Sequence, residues 1–243
     1  MNRRVATTGT PLILLLTALA STRLSGRPAP GPEVPRPDSV LDPVVLFNQN
    51  CAGCHGAHGK QGPAMMLSDP VYLAIVDDES LRSTISKGRR GTAMSAFAQK
   101  EGGMLTDAQV DAIIHGIRER WNNPGVLAGV AAPSYATQSP GNPQRGQATY
   151  ATFCAPCHGT DDRGGPKAGS ITNSSYLNLI SDQGLRTIVI TGRPDFDAPD
   201  WRSNVPGRPM NDQEISDVVA WLVSQRTATA QPGEVTAVSG GVH

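Results

Sequence analysis

Two short segments carry every cysteine of the chain: Cys51-Ala-Gly-Cys54-His55-Gly56 and Cys154-Ala-Pro-Cys157-His158-Gly159. On a helical turn, positions i, i+3 and i+4 lie on one face, so each segment aims two thiols and an imidazole at one place. Such a turn can add its thiols to the two vinyl groups of one haem while the histidine meets the iron, and this spacing is the pattern of c-type haem attachment. A zinc site would bring its cysteine pairs together on one metal, whereas these pairs stand 103 residues apart in separate repeats. A thioredoxin-like redox pair needs an α/β pattern that is absent, and a structural disulfide gives no reason for histidine to follow twice. The expected cofactors are two covalently bound haem c groups, one on Cys51 and Cys54 and one on Cys154 and Cys157, with His55 and His158 as iron ligands.

The segments that must position these turns repeat with them. Tyr72-Leu73, Leu81-Arg82 and Gly88-Arg89 recur as Tyr176-Leu177, Leu185-Arg186 and Gly192-Arg193, now at an offset of 104, so a single inserted residue separates two copies of one unit. Each copy is expected to close with a helix. Thr106 with Gln109, and Asn211 with Glu214, have capping-box spacing. Val110, Ile113, Ile114 and Ile117, and then Ile215, Val218, Val219 and Leu222, follow at the spacing of one buried stripe. Val45 to Asn50 and Gly146 to Phe153 can form a further helix ahead of each motif, with Phe47 and Tyr150 four residues before the first cysteine. No run reads as a β-hairpin. The fold class is expected to be all-α, with two tandem small haem-wrapping domains, 42–121 and 144–226, joined by a Pro/Gly-rich linker over 122–143.

Proline at 28, 30, 32, 35, 37 and 43 marks residues 21–41 and their border as a semi-rigid spacer, and 227–243, small and polar, reads as a disordered tail. Arg3 and Arg4 precede the apolar run Pro11 to Ala20, which ends in Ala18-Leu19-Ala20. That order predicts a signal peptide over 1–20, cleaved before Ser21. A retained anchor is the rival reading, but about ten strongly apolar residues fall short of the roughly 20 that a span needs. Export to the periplasm, or to the outer face of the cytoplasmic membrane, follows.

Apolar residues make up 38% of the 243, beside 26 Gly and 20 Pro. Domains of roughly 80 residues with so little core material are marginal unless a bulky apolar group is supplied, and haem is such a group. The formal net charge is zero, with 8 Lys/Arg against 9 Asp/Glu in both 41–121 and 142–226. Nothing here forms the basic stripe that neutralises phosphates, which argues against nucleic acid as a partner.

Both repeats resemble class I cytochrome c domains. The resemblance spans Asp42 to Trp121 and Gln144 to Arg226. It rests on the two haem motifs, on the Gly62-Pro63 and Gly165-Pro166 pairs, and on the endings Leu-Thr-Asp-Ala-Gln-Val and Met-Asn-Asp-Gln-Glu-Ile. It implies a few short helices around one haem per domain, with histidine and usually methionine as axial ligands. In the first domain the ligand loop is similar to Gly91-Thr-Ala-Met94-Ser-Ala-Phe97, which implies Met94 as the sixth ligand; a thioether favours reduced iron. In the second domain, offset 104 carries Met94 onto Ala198. Either another residue takes the role, with Met210 the nearest candidate and Asp195, Asp197 and Asn204 behind it, or the position is open; Met210 also has a packing explanation directly before the closing helix. Met65, Met66 and Met104 read as packing residues, and His58, His115 and the terminal His243 as surface or mobile groups.

The resemblance implies one-electron transfer between a redox-protein donor and acceptor outside the cytoplasm. No nucleophile, nucleotide loop or paired carboxylate cluster suggests a separate catalytic centre, so the chain reads as a carrier and not an enzyme. Two other readings stay open: a haem subunit of a larger, membrane-bound respiratory or dehydrogenase complex, and a second haem with an open catalytic or gas-binding position.

Overall fold

The first helix of domain 1, α1 (Pro43–Asn50), is started by Asp42, whose carboxylate accepts from the Val44 and Val45 N–H groups, and by Pro43 at the first helical position, where a missing N–H costs nothing. The next turn, α2 (Ala52–His55), carries the first motif. Then come α3 (Pro70–Ile75) and α4 (Asp78–Lys87), capped by Asp69 and Asp77, and α5 (Asp107–Trp121), which begins at the Thr106–Gln109 capping box. Domain 2 repeats the order as α6 (Pro143–Phe153), α7 (Ala155–His158), α8 (Ser174–Leu177), α9 (Asp182–Thr191) and α10 (Asp212–Ser224), the last opened by the Asn211–Glu214 capping box.

The computed structural model describes Gly31 and residues 36–226; the expected signal peptide, most of the first Pro-rich spacer, the tail and His243 lie outside the described residues. Among the described residues there is no strand, only two isolated bridges, so the fold is all-α. The helices ahead of the motifs start earlier than the apolar pattern indicated, because the cap and the proline, not the first apolar side chain, set the start.

In each domain the first and last helices cross closely. A glycine permits the approach from opposite sides: a Cβ on Gly116 of α5 would press into Pro43, and one on Gly146 of α6 into the Asp217 carbonyl. The expected stripes on α5 and α10 are buried throughout, and they meet Leu46 and Phe47 in the first core and Tyr150 and Phe153 in the second. The cores also touch, since Val71 of α3 is buried in the second cluster.

The stretch over 122–142 is irregular, as its composition predicts, yet it is not a free spacer. Val126, Leu127 and Ala132 lie on the second core and Tyr135 on the first. Arg186, only 1% exposed, holds this strap down: it donates to the Ser134 and Tyr135 carbonyls, to the Ser216 hydroxyl, and to Asp212 at 2.5 Å. Its repeat partner Arg82 instead sits in a surface ion pair with Asp111. Arg186→Ala should therefore destabilise domain 2 by about 3 kcal/mol, the scale for breaking a buried hydrogen-bond network by removing its donor, while Arg82→Ala should cost at most about 1 kcal/mol. Thermal unfolding of both variants measures the difference.

Candidate haem sites

Each motif turn grows directly from the helix before it. The Cys51 N–H donates to the Phe47 carbonyl at 2.8 Å, and the Cys51 carbonyl then accepts from His55 at 3.0 Å; Cys154 repeats both bonds with Tyr150 and His158 at 2.9 Å each. Nδ1 of His55 lies 2.8 Å from the Met65 carbonyl, and Nδ1 of His158 lies 2.8 Å from the Gly169 carbonyl. A carbonyl can only accept, so Nδ1 carries a proton in both rings, and in the neutral ring the lone pair is on Nε2. That is the tautomer a metal-ligating imidazole needs, with its second nitrogen oriented by a backbone partner. Burial pushes the His55 pKa below its ordinary 6.5 against the opposing Met65 bond, and nearby Arg193 lowers it further.

The loops behind the histidines close alike, Ala64 N–H on the Cys54 carbonyl at 3.0 Å and Ala168 N–H on the Cys157 carbonyl at 3.1 Å. A Cβ on Gly62 or Gly165 would meet those same carbonyls, so the one inserted residue of domain 2 falls between Gly165 and Ala168. Burial, then neighbouring Cys54, pushes the Cys51 thiol up to about 11, and burial, then Cys157, pushes Cys154 up to about 12. These are neutral thiols, not the activated thiolate of a redox pair. All four cysteines are free, and among the described residues no group of three or more His, Cys, Asp or Glu could hold a metal ion. The donor set fits haem: two unpaired thiols and one imidazole oriented by a backbone carbonyl per turn.

The loops after α4 and α9 share a second device. Gly88 and Gly192 have φ of +68° and +67°, and the arginine after each donates its N–H across the loop, Arg89 to the Met94 carbonyl at 2.8 Å and Arg193 to the Ala198 carbonyl at 3.0 Å. Met94 is half-buried. Met210 is 2% exposed in the second core, its N–H on the Trp201 carbonyl at 3.0 Å. Met65 packs against the first core, but Met104 is 75% exposed and not a packing residue, because it precedes Leu105, which takes the buried place. His58 is exposed, and His115 faces solvent beside Glu119.

A family model described as cytochrome c matches residues 143–226, and one described as cytochrome c oxidase, cbb3-type, subunit III matches residues 38–115. The chain is a cytochrome c family protein with two tandem domains. Cytochrome c domains hold covalent haem c and transfer electrons through it. No curated protein matches the chain at a significant level. Among solved structures, the Kuenenia stuttgartiensis reducing HAO-like protein complex aligns at 19% identity over 81% of this chain and 100% of that one, with a TM-score of 0.44. Dihydro-heme d1 dehydrogenase NirN in complex with DHE aligns at 26% identity over 41% of this chain and 18% of that one, with a TM-score of 0.29. At those scores neither neighbour bears on function.

The two cytochrome c domains are joined beside the first motif by a link that the sequence did not reveal. Asp195, its side chain 1% exposed, pairs with Arg193 at 2.9 Å and accepts the Gln61 N–H at 2.9 Å, while Arg193 also donates to the Gly62 carbonyl at 3.3 Å. The Arg193 hydrogen bond is the main reason that the Asp195 carboxyl stays below its ordinary value. The repeated Gly-Arg pair signalled a turn at Arg193, but nothing in the pattern named a partner 131 residues away. Asp195→Ala should speed hydrogen exchange at the Gln61 amide by roughly 10- to 100-fold, the scale of one charge-assisted hydrogen bond, as read by NMR or mass spectrometry.

Proposed function

We propose that this cytochrome c is an exported dihaem electron carrier that takes single electrons from one redox protein and delivers them to another. The observation that carries the reading is the twice-built proximal side, in which a Cys-x-x-Cys-His turn presents an imidazole whose Nδ1 is spent on a backbone carbonyl. When bound, haem supplies a one-electron Fe(III)/Fe(II) couple. The chain's own residues do the rest. Cys51 and Cys54, and Cys154 and Cys157, tether the two groups; His55 and His158 ligate the irons; and the Met94 thioether, in the loop closed by Arg89, favours the reduced state of the first. His55 is buried in its turn and His158 half-buried, and the Arg193–Asp195 link with the strap holds the two sites in one body. No described helix is long and apolar enough to cross a membrane.

Cys54→Ala should remove the covalent haem of domain 1 and leave that of domain 2, so that haem staining on a denaturing gel, set against the protein load, falls by about half. Two haems still bound would overturn the assignment. Met94→Ala should abolish the weak ferric thioether band near the red edge of the spectrum and lower one of two midpoint potentials. Export predicts a mature chain that begins at or near Ser21; intact Met1 to Ala20 on membrane-held protein, found by mass spectrometry, would replace cleavage with a retained anchor.

A further inference from the structure

The distal loop of domain 2 keeps the backbone of its counterpart and drops the side chain. The Ala198 carbonyl accepts from Arg193 as the Met94 carbonyl accepts from Arg89. A Cβ on either preceding glycine would meet those same carbonyls, Met94 from Gly88 and Ala198 from Gly192, both at 2.5 Å. Ala198 thus occupies the place of Met94, and a methyl group cannot ligate iron.

Met210 fills a different place. Its N–H donates to the Trp201 carbonyl at 3.0 Å, as the Leu105 N–H donates to the Phe97 carbonyl at 2.7 Å. Both residues directly precede a helix cap, Asn211 or Thr106, and both are buried among the apolar side chains of their core, at 2% and 4% exposure. Domain 1 needs an apolar residue there even though it also has Met94. Met210 therefore does the packing work of Leu105.

Other donors are scarce. Within 142–226 there is no histidine besides His158, no methionine besides Met210, and one lysine, Lys167, which lies in the loop behind the motif with its N–H on the Cys157 carbonyl at 3.4 Å. The polar side chains of the distal loop are engaged: Asp195 with Arg193 and Gln61, Asp200 with Arg202 at 2.5 Å, and Asn204 with the Asp200 carbonyl at 3.2 Å. Asp197 is exposed.

Resting on the dihaem reading, we propose that domain 2 supplies no protein side chain to the sixth position of its iron, and that this position, beside Ala198, takes a small neutral π-accepting ligand from solution. The two domains then divide the work. Domain 1, closed by Met94, only passes electrons, while domain 2 can also bind.

The test uses the mature dihaem protein with carbon monoxide as the probe. Haem is first counted after acid extraction; fewer than two covalent haems per chain overturns the dihaem reading on which the proposal rests. With two present, the dithionite-reduced protein is expected to bind one carbon monoxide per chain. Met210→Leu, which keeps the packing, should leave that stoichiometry and the ferric thioether band unchanged. Ala198→Met should abolish carbon monoxide binding and about double the thioether band. Wild-type protein that binds none overturns the proposal, and appearance of binding only in Met210→Leu would assign the ligand to Met210. Binding of two would overturn the division between the domains.

Discussion

The hydrogen bond from Nδ1 of each motif histidine to a backbone carbonyl ten or eleven residues further on is the constraint around which both domains are arranged. It holds a proton on one ring nitrogen and so leaves the other turned away and able to ligate. To place that carbonyl, the chain after the histidine must turn back. It does so by closing Ala64 or Ala168 onto the second cysteine's carbonyl, with a glycine where a Cβ would strike the same oxygen. The turn in front is fixed by the helix before it, whose last carbonyls accept from the first cysteine, and that helix is in turn held by its crossing with the closing helix. The orientation of each imidazole is thereby tied to the helix pair that carries most of the apolar core.

Duplication gave two such units, and the structure shows where they have parted. Arg82 and Arg186 occupy equivalent positions, but one lies at the surface in an ion pair and the other is buried beneath the strap, bonded to two carbonyls, a hydroxyl and a carboxylate. Arg89 and Arg193 hold the same backbone bond across their loops. Their side chains diverge: Arg89 reaches the Tyr135 hydroxyl of the strap at 2.9 Å, and Arg193 reaches Asp195 and the loop behind the first motif. In both cases the difference arises because the segment between the domains and the first motif loop run over one copy's arginine and not the other's. The second distal loop therefore packs against the proximal side of the first site, an arrangement that binds the two sites into one unit.

Much of this was readable from spacing. Capping boxes at Thr106 and Asn211 and the four-residue apolar stripes after them set the closing helices, because these features depend only on neighbours within one or two turns. The haem motifs were equally plain, since all their chemistry lies within five residues. The repeat offset identified Ala198 as the counterpart of Met94, and the paired arginine bonds bear this alignment out. Less legible were α3, α4, α8 and α9, of four to ten residues each, which are too short to show a sustained helical period and take their stability from the surfaces they cover.

By itself, the sequence determined that this is a duplicated all-α cytochrome c, with two thiols and one imidazole per copy at a spacing that only a single helical turn can bring together. What only the tertiary structure decided is how the copies meet. The burial of Arg186 beneath the strap, the packing of Met210 in the second core and the bond from Gln61 to Asp195 all join residues that no local pattern relates. Periodicity reports which face of a helix is apolar. Which chain segment comes to cover that face is settled by the folded whole, because contacts across 134 residues have no signature in the spacing of either end.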